Sequence, residues 1–348
     1  MAKFSESSKT IIRDTMIGMA LSLAKEVGIL QALVDADGQL TSLQVAEAKG
    51  LKERYVRELL NALSTAELVE VVEGEDGVFK YSLDLKGEST DAFDRALTYA
   101  SFPSVLASRF SSIKDCIHKN GPDGVRYNDQ VQDILDNFSR QSAPQLVAII
   151  SEQVPDLKIR LEKGIDAIEF GAGRGRLSAA LAQQFPDSRF VASEVTSDIV
   201  ETAKDTWAHI SNLTFALVDI CAIPETPDKQ YDWIFCCDVM HDLPDILGAL
   251  KGSKRLLQKP DGILTFVDIT TSGSPVADRG NKSVATFYTM GTFLCIPESY
   301  QQKNSVAMGP CWGRQAALDL VQKAGFEVHD IQIDDCCSLF ICRLPKDS

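Results

Sequence analysis

The chain has 348 residues, 45% of them hydrophobic and 24% charged, and its 35 basic against 49 acidic side chains give a net charge of −14. That composition excludes collagen-like, low-complexity and largely disordered chains, and the length leaves room for about two domains, each with its own core. The acidic balance argues against a protein whose main task is to neutralise nucleic-acid phosphates or to lie on an anionic membrane.

Residues 1–90 read as a small helical domain that closes with a hairpin. Ile11, Ile12, Met16, Met19, Leu23, Val27, Ile29 and Leu33 recur at helical spacing. Thr41 to Glu47 has the form of a capped short helix, and Lys52 to Leu63 that of a third helix, with Tyr55, Val56, Leu59, Leu60 and Leu63 on one face. Two β runs, Leu68–Val72 and Val78–Ser82, flank the turn-rich Glu73-Gly-Glu-Asp-Gly77. The layout resembles a winged helix. Its ten basic and fifteen acidic side chains give a net charge of −5, and Glu53 and Glu58 interrupt Lys52, Arg54 and Arg57 on the would-be recognition helix. A dimerisation or substrate-capping module is therefore expected in preference to a DNA reader.

Residues 91–158 read as a helical connector with runs over 93–117 and 131–154, broken at Gly121-Pro-Asp-Gly124. From 159 to 348 short β runs alternate with helices, which predicts an α/β domain with a doubly wound parallel sheet. The β runs are Ile165–Phe170, Arg189–Glu194, Leu213–Val218, Trp233–Cys237, Ile263–Asp268, Phe326–Ile333 and Leu339–Arg343. Nine cysteines, an odd number without any C-x-x-C, signal neither a disulfide framework nor a zinc site. Most lie in apolar runs, where free Cys acts as a small hydrophobe in a reducing compartment. Glu6, Lys9, Arg13 and Asp14 leave no apolar signal core at the start, and the longest uncharged run, Ser283–Pro297, is too short to span a bilayer. A cytoplasmic location is the expectation.

The sharpest motif is Asp166-Ala-Ile-Glu169-Phe-Gly171-Ala-Gly173-Arg-Gly175-Arg-Leu177. A β run ends, and a Gly-x-Gly-x-Gly turn feeds a helix, so the backbone can turn sharply and approach a ligand closely. A dinucleotide fingerprint needs G-x-G-x-x-G, and the place of its third Gly is taken by Arg176. The spacing thus disfavours a nicotinamide enzyme. It matches the E-x-G-x-G-x-G motif of S-adenosylmethionine-dependent methyltransferases. Glu194 ends the second β run and Asp219 follows the third, so acidic residues stand at successive strand ends along one sheet edge.

The fourth β run leads into Asp238-Val-Met-His241-Asp242-Leu-Pro-Asp245. With this segment the chain resembles class I S-adenosylmethionine-dependent methyltransferases with an N-terminal winged-helix domain, the small-molecule O-methyltransferase type of plants and bacteria. His241, Asp242 and Asp245 fall on that family's H-D-W-x-D segment, with Leu243 in place of the Trp. Similarity continues at Leu257-Gln-Lys-Pro-Asp-Gly262 and Lys323-Ala-Gly-Phe326. The resemblance implies a seven-stranded Rossmann-like methyltransferase sheet, a homodimer and a small-molecule acceptor. It implies S-adenosylmethionine bound by Glu169, Gly171, Gly173, Gly175, Glu194, Asp219, Ile220 and Asp238, with Glu194 on the ribose hydroxyls and Asp219 near the adenine. His241 is implied as general base, with Asp242 beside it. His118, His209 and His329 have no companions at metal-ligand spacing, and no metal is expected. Tyr99, Phe102, Phe110, Phe287, Tyr288, Met290, Phe293 and Trp312 are candidate walls of the acceptor pocket.

One departure stands out. The family's plant members orient that His with a Glu before the last helix, and the equivalent stretch here, near Cys311-Trp312, holds none. Asp242 and Asp268 are the candidate replacements. Without the Glu, weight shifts from a phenol toward a thiol, whose pKa of ~8.5 leaves some thiolate at neutral pH. A winged-helix regulator that binds a small ligand without catalysis is the alternative reading.

Overall fold

The computed structural model describes residues 4–36 and 38–346; residues 1–3, 37 and 347–348 lie outside it. The chain parts into two compact units, Met1–Arg109 and Phe110–Ser348. The connector expected over 91–158 is divided between them.

In the first unit, helices α1 (Phe4–Glu26) and α2 (Ile29–Asp35) precede β1 (Leu40–Thr41), α3 (Ser42–Lys49) and α4 (Glu53–Thr65), then the hairpin β2 (Glu70–Glu73) and β3 (Phe79–Ser82). A capping box starts α3: Thr41 Oγ1 accepts from Gln44 N–H at 3.2 Å while Gln44 Oε1 accepts from Thr41 N–H at 2.8 Å. The apolar face of α4, Val56, Leu60 and Leu63, is buried against Ala24, Ile29, Leu33, Val45 and Tyr81. The three strands order β1-β3-β2, which is the wing. On α4, Arg54 pairs with Glu58 and Arg57 with Glu53, so both of its basic residues serve its own acids, and Lys52 precedes it at the cap. The helical run expected over 93–117 is two helices, α5 (Thr90–Tyr99) and α6 (Phe102–Ile117). Pro103 sits in the first turn of α6, where its missing N–H costs nothing, and would break a continuous helix.

The second unit takes the rest of α6, then α7 (Asp129–Gln153) and α8 (Pro155–Lys163). Its sheet is built from β4 (Asp166–Phe170), β5 (Arg189–Glu194), β6 (Leu213–Leu217), β7 (Trp233–Cys237), β8 (Ile263–Ile269), β9 (Glu327–Gln332) and β10 (Cys337–Arg343). Helices α9 (Arg176–Gln184), α10 (Ser197–Thr206) and α11 (Ile246–Leu256) connect β4 to β8. Between β8 and β9 run α12 (Lys282–Met290), a π-helical turn Gly291–Cys295, α13 (Ile296–Ser299) and α14 (Arg314–Lys323). The strand order is β6-β5-β4-β7-β8-β10-β9. Five strands are parallel, as the alternation predicts, but β10 pairs antiparallel with both β8 and β9. The four residues between β9 and β10 are too few for a crossover helix, so the sheet ends in a hairpin.

Residues along each strand alternate between two cores. Ala167, Trp233, Phe235, Leu339 and Ile341 pack under α7, α8 and α9. Ile168, Phe170, Ile234, Phe266 and Phe340 pack under α11 and α14. Covering both faces is what makes the strand sequences almost wholly apolar. The order also sets the site: β4 leads to β5 on one side while β7 opens the other, and ligands bind at such a switch point, off the carboxyl ends of the strands.

Candidate active site

The glycine turn leaves β4 at that switch point. Gly171, Gly173 and Gly175 have φ of +65°, +52° and +76°, conformations other residues adopt only under strain. A side chain at Gly171 would meet Val239 at 2.5 Å, and one at Gly175 would meet Phe215 at 2.6 Å, whereas one at Gly173 would enter open space. Two glycines therefore allow close packing, and the middle one leaves a cradle. The turn is clamped from α7: Arg176 makes a two-pronged pair with Asp136, both bonds 2.8 Å, and Arg174 reaches Asp133 at 2.8 Å. Trp207 closes the other side, its indole N–H donating to Arg174 O at 2.8 Å.

The expected acidic residues fall along this edge in different roles. Glu194 accepts from Gly173 N–H at 3.1 Å and from Val195 N–H at 2.7 Å, which ties the end of β5 to the cradle. Asp219 caps the short turn Ile220–Ala222 by accepting from Cys221 N–H at 2.8 Å. Ile220 is buried among Ile168 and Phe170. Glu169 lies beneath the loop, 4% exposed, accepting from Ser178 N–H and Oγ–H at the start of α9. Burial pushes its carboxyl up to about 8, against the pull of those Ser178 bonds. Asp238 follows β7 at φ +53°, a strained conformation for a residue with a side chain. The residue is exposed, but desolvation of the carboxyl by its neighbours, and after it the Asp268 charge, raise that carboxyl above its ordinary value.

His241 and Asp242 sit on the single helical turn Met240–Asp242 after β7. The His241 ring is buried, with Nδ1 2.6 Å from Asp268 Oδ1; its backbone N–H donates to Asp268 Oδ2 at 3.3 Å. Asp268, wholly buried on β8, also accepts from Ile269 N–H at 2.7 Å. On the ring's far side Nε2 is 3.3 Å from Asp242 Oδ1. Tyr127 donates its hydroxyl to Asp242 Oδ2 at 3.1 Å, and Cys295 Sγ lies within 4.8 Å of the Asp242 and His241 donor atoms. Burial works to lower the His241 pKa, but the Asp268 and Asp242 charges outweigh it and hold the ring well above its ordinary value. Burial raises Asp242 and the Tyr127 phenol, and burial with the Asp242 charge pushes Cys295 up to about 12. The donor atoms of His241, Asp242, Cys295, Asp238 and Asp268 converge within 4.8 Å in two groups of three. Of these groups, His241 and Asp268 are hydrogen-bonded to each other, while Asp242 Oδ1 is buried and accepts no hydrogen bond. Asp245, the last residue of the resemblance segment, caps α11 by accepting from Gly248 N–H at 2.8 Å.

Comparison with known proteins fits this architecture. Residues 168–264 match the family described as a methyltransferase domain, and residues 15–84 the Rv2258c-like winged HTH domain. The chain carries a methyltransferase domain behind a winged helix. Over its full length the fold is that of human N-acetylserotonin methyltransferase, solved in complex with SAM, at 16% identity, 99% coverage of each chain and a TM-score of 0.70. A trans-aconitate 2-methyltransferase of Methylobacterium radiotolerans is 33% identical over 37% of this chain and 52% of its own length. A highly reducing polyketide synthase of Aspergillus nomiae is 27% identical over 34% of this chain and 5% of its own. The chain thus spans about half the length of one curated relative and a small part of the other.

Within the methyltransferase domain, the residue that orients His241 is Asp268, one of the two carboxylates considered for that role. In the stretch near Cys311-Trp312, Cys311 donates to Val284 O at 3.8 Å. Three participants had no motif to announce them: Asp136, which clamps the glycine turn through Arg176, and Tyr127 and Cys295, which lie beside Asp242. Asp268 does follow the strand-end pattern that singled out Glu194 and Asp219.

Proposed function

We propose that this protein transfers the methyl group of S-adenosylmethionine to an oxygen or thiol sulfur of a small molecule, with the His241–Asp242 pair relieving the acceptor of its proton. The observation that carries the reading is the meeting, at one switch point, of an open glycine cradle and a buried histidine flanked by carboxylates. Gly171, Gly173 and Gly175 would face the cofactor with Glu194 at its ribose, and Asp219 and Ile220 at its adenine. Glu169 supports the turn from below, and Asp238 would also face the cofactor. S-adenosylmethionine, when bound, supplies a methyl group activated by a sulfonium, and its ammonium and sulfonium charges suit so acidic a cleft. The residues around it hold the acceptor in near-attack geometry, a contribution of up to ~7–11 kcal/mol. Removal of the acceptor proton adds about 10²–10⁴-fold.

The first unit is read as a module for dimerisation and capping. Ile11, Ile12, Met16 and Leu23 of α1 are all more than half exposed, an apolar row suited to a second copy of the chain. A DNA-reading regulator is disfavoured by the internal ion pairs of α4. The nine cysteines, all free, fit a reducing cytoplasm.

Calorimetry is the deciding experiment, followed by a turnover screen with labelled methyl donor. Binding of S-adenosylmethionine and its demethylated product, without binding of NAD, is expected. The acceptor panel holds phenols, thiols and amines, and carboxylic acids join it because one relative is named for trans-aconitate. A protein that binds neither form of the cofactor would falsify the reading.

A further inference from the structure

We propose that His241, Asp242 and Cys295 form a binding site for a zinc-like divalent metal ion, and that the bound ion blocks methyl transfer by occupying the His241 ring. The site stands on its own geometry; only the block rests on the methyl-transfer reading above.

The first observation is an oxygen left over. Asp242 Oδ2 accepts from Tyr127, but Oδ1 is buried and accepts no hydrogen bond. Buried polar atoms are almost always satisfied, and an exception calls for a partner such as an ion. Oδ1 lies 3.3 Å from His241 Nε2. A tetrahedral zinc ion bonded to nitrogen and oxygen at about 2.0–2.2 Å holds them about 3.3–3.5 Å apart, so this pair already has the spacing of two ligands. Cys295 Sγ completes the set, all three donor atoms lying within 4.8 Å of one another. Zinc–sulfur bonds of about 2.3 Å need the sulfur about 3.5–3.6 Å from the other two, which a small side-chain movement supplies.

The surroundings are those of a metal site. His241 Nδ1 meets Asp268 Oδ1 at 2.6 Å, and the Tyr127 hydroxyl donates to Asp242 Oδ2 at 3.1 Å. A histidine that binds an ion through one nitrogen commonly gives its other N–H to a carboxylate, and a ligating carboxylate is itself hydrogen-bonded. Asp268 is engaged by His241 and Ile269 and belongs to this outer layer. That favours the Cys295 set over the second convergent set, Asp238, His241 and Asp268. Nitrogen, oxygen and sulfur together suit zinc, whereas magnesium and calcium take oxygen ligands. The charges agree: a dication answers the Asp242 carboxylate and a Cys295 thiolate. His241 is buried and the other two residues are only partly so, which leaves a way in for a small ion.

The block follows from the wiring of the ring. With Nδ1 bonded to Asp268, Nε2 is the nitrogen that remains to take a proton, and an ion bound there uses its lone pair. As Cys295 Sγ bonds to the ion, the thiol proton leaves to solvent. Nothing is oxidised or reduced, so removal of the ion restores the ring.

The test titrates zinc alone into the full, chelator-washed chain by calorimetry. One zinc binds per chain, and magnesium does not compete. C295A and H241Q each lose about 10²-fold or more in zinc affinity, and Y127F, in the outer layer, about tenfold. C311S binds as the unmodified protein does, because its thiol serves Val284 O. Cobalt(II) gives a second readout: a sulfur-to-cobalt charge-transfer band that C311S keeps and C295A loses, with circular dichroism showing that both are folded. Absence of zinc binding, a cobalt band that persists in C295A, or equal losses in C311S and C295A overturns the site. With the acceptor found by the labelled-donor screen, the zinc-loaded chain freed of excess metal is inactive, and chelation restores turnover. Full turnover in the loaded chain overturns the block. Zinc binding in a chain that binds neither form of the cofactor would sink the methyl-transfer reading and leave the metal site standing, whereas turnover without zinc binding would sink only the site.

Discussion

Asp268→Asn keeps the shape of β8 and removes the charge that holds His241. Asp268 is wholly buried and accepts three hydrogen bonds, from His241 Nδ1 at 2.6 Å, His241 N at 3.3 Å and Ile269 N at 2.7 Å. An Asn side chain offers one oxygen to these donors and turns an amide N–H₂ toward the rest. Removing one partner of a buried pair costs about 3–5 kcal/mol. Here His241 can shed its proton in response, so the low end, about 3 kcal/mol, is expected. For a unit of this size each kcal/mol moves Tm by about 2–4 °C, which gives a fall of roughly 6–12 °C. The sign with pH follows from the raised pKa of His241 in the fold. Its pairing stabilises fully below the unfolded value of about 6.5 and is lost as pH climbs through the higher folded value. The gap between the two proteins is therefore widest near pH 5.5–6 and narrows on the alkaline side. Calorimetric melts across that range measure it directly. A variant melting within about 2 °C of the original at pH 6 would refute the account of Asp268 as the anchor of the ring.

Two further outcomes follow from the cradle. Gly175→Ala places a Cβ 2.6 Å from the Phe215 ring at φ +76°, where a residue with a side chain also carries about 1–2 kcal/mol of strain. The turn must shift, and S-adenosylmethionine binding by calorimetry weakens about tenfold or more for each 1.4 kcal/mol lost; unchanged affinity would show that the turn does not hold the cofactor. Glu169→Gln tests the buried carboxyl beneath it. Because burial raises that carboxyl to about 8, the fold prefers its protonated form, and stability falls as pH rises from the ordinary carboxylate range through that value. A glutamine keeps an oxygen for the Ser178 donors without the charge, so the variant's Tm stays flatter between pH 6 and 9; parallel curves for the two proteins would contradict the buried-carboxyl assignment.

What could be read from the residues alone depended on whether a local pattern or a distant contact was at stake. The strands from Ile165 to Asp268 were legible within about two residues at each end because a sheet covered on both faces needs unbroken apolar runs. The antiparallel hairpin at the end was missed, although the short stretch between Gln332 and Cys337 already lacks room for a crossover. The split at Pro103 was likewise available, since a proline there starts a helix more readily than it continues one. In the site, Glu194 and Asp219 could be found because parallel topology gathers strand ends along one edge, and Asp268 obeys the same rule one strand later. Tyr127 and Cys295 obey no such rule. Tyr127 lies 115 residues from the carboxylate it bonds, in a segment without periodicity. Cys295 reaches the cluster through a π-helical turn, and the residue that such a turn adds rotates every following side chain by about a quarter-turn or more relative to the 3.6-residue pattern.

The same distinction decides how His241 should be understood. A His-Asp motif names two residue types that can exchange protons, and it leaves open which of them holds the proton at rest. That is settled by what meets each ring nitrogen. One neighbour of His241 comes from β8 and the other from the adjacent position in the chain, and both are carboxylates. Nδ1 meets Asp268 at 2.6 Å, so the orientation of the ring is fixed by a carboxylate from outside the motif. The chemistry of the pair therefore lies in the approach of β8 to the turn after β7, a tertiary fact that no spacing within the motif encodes.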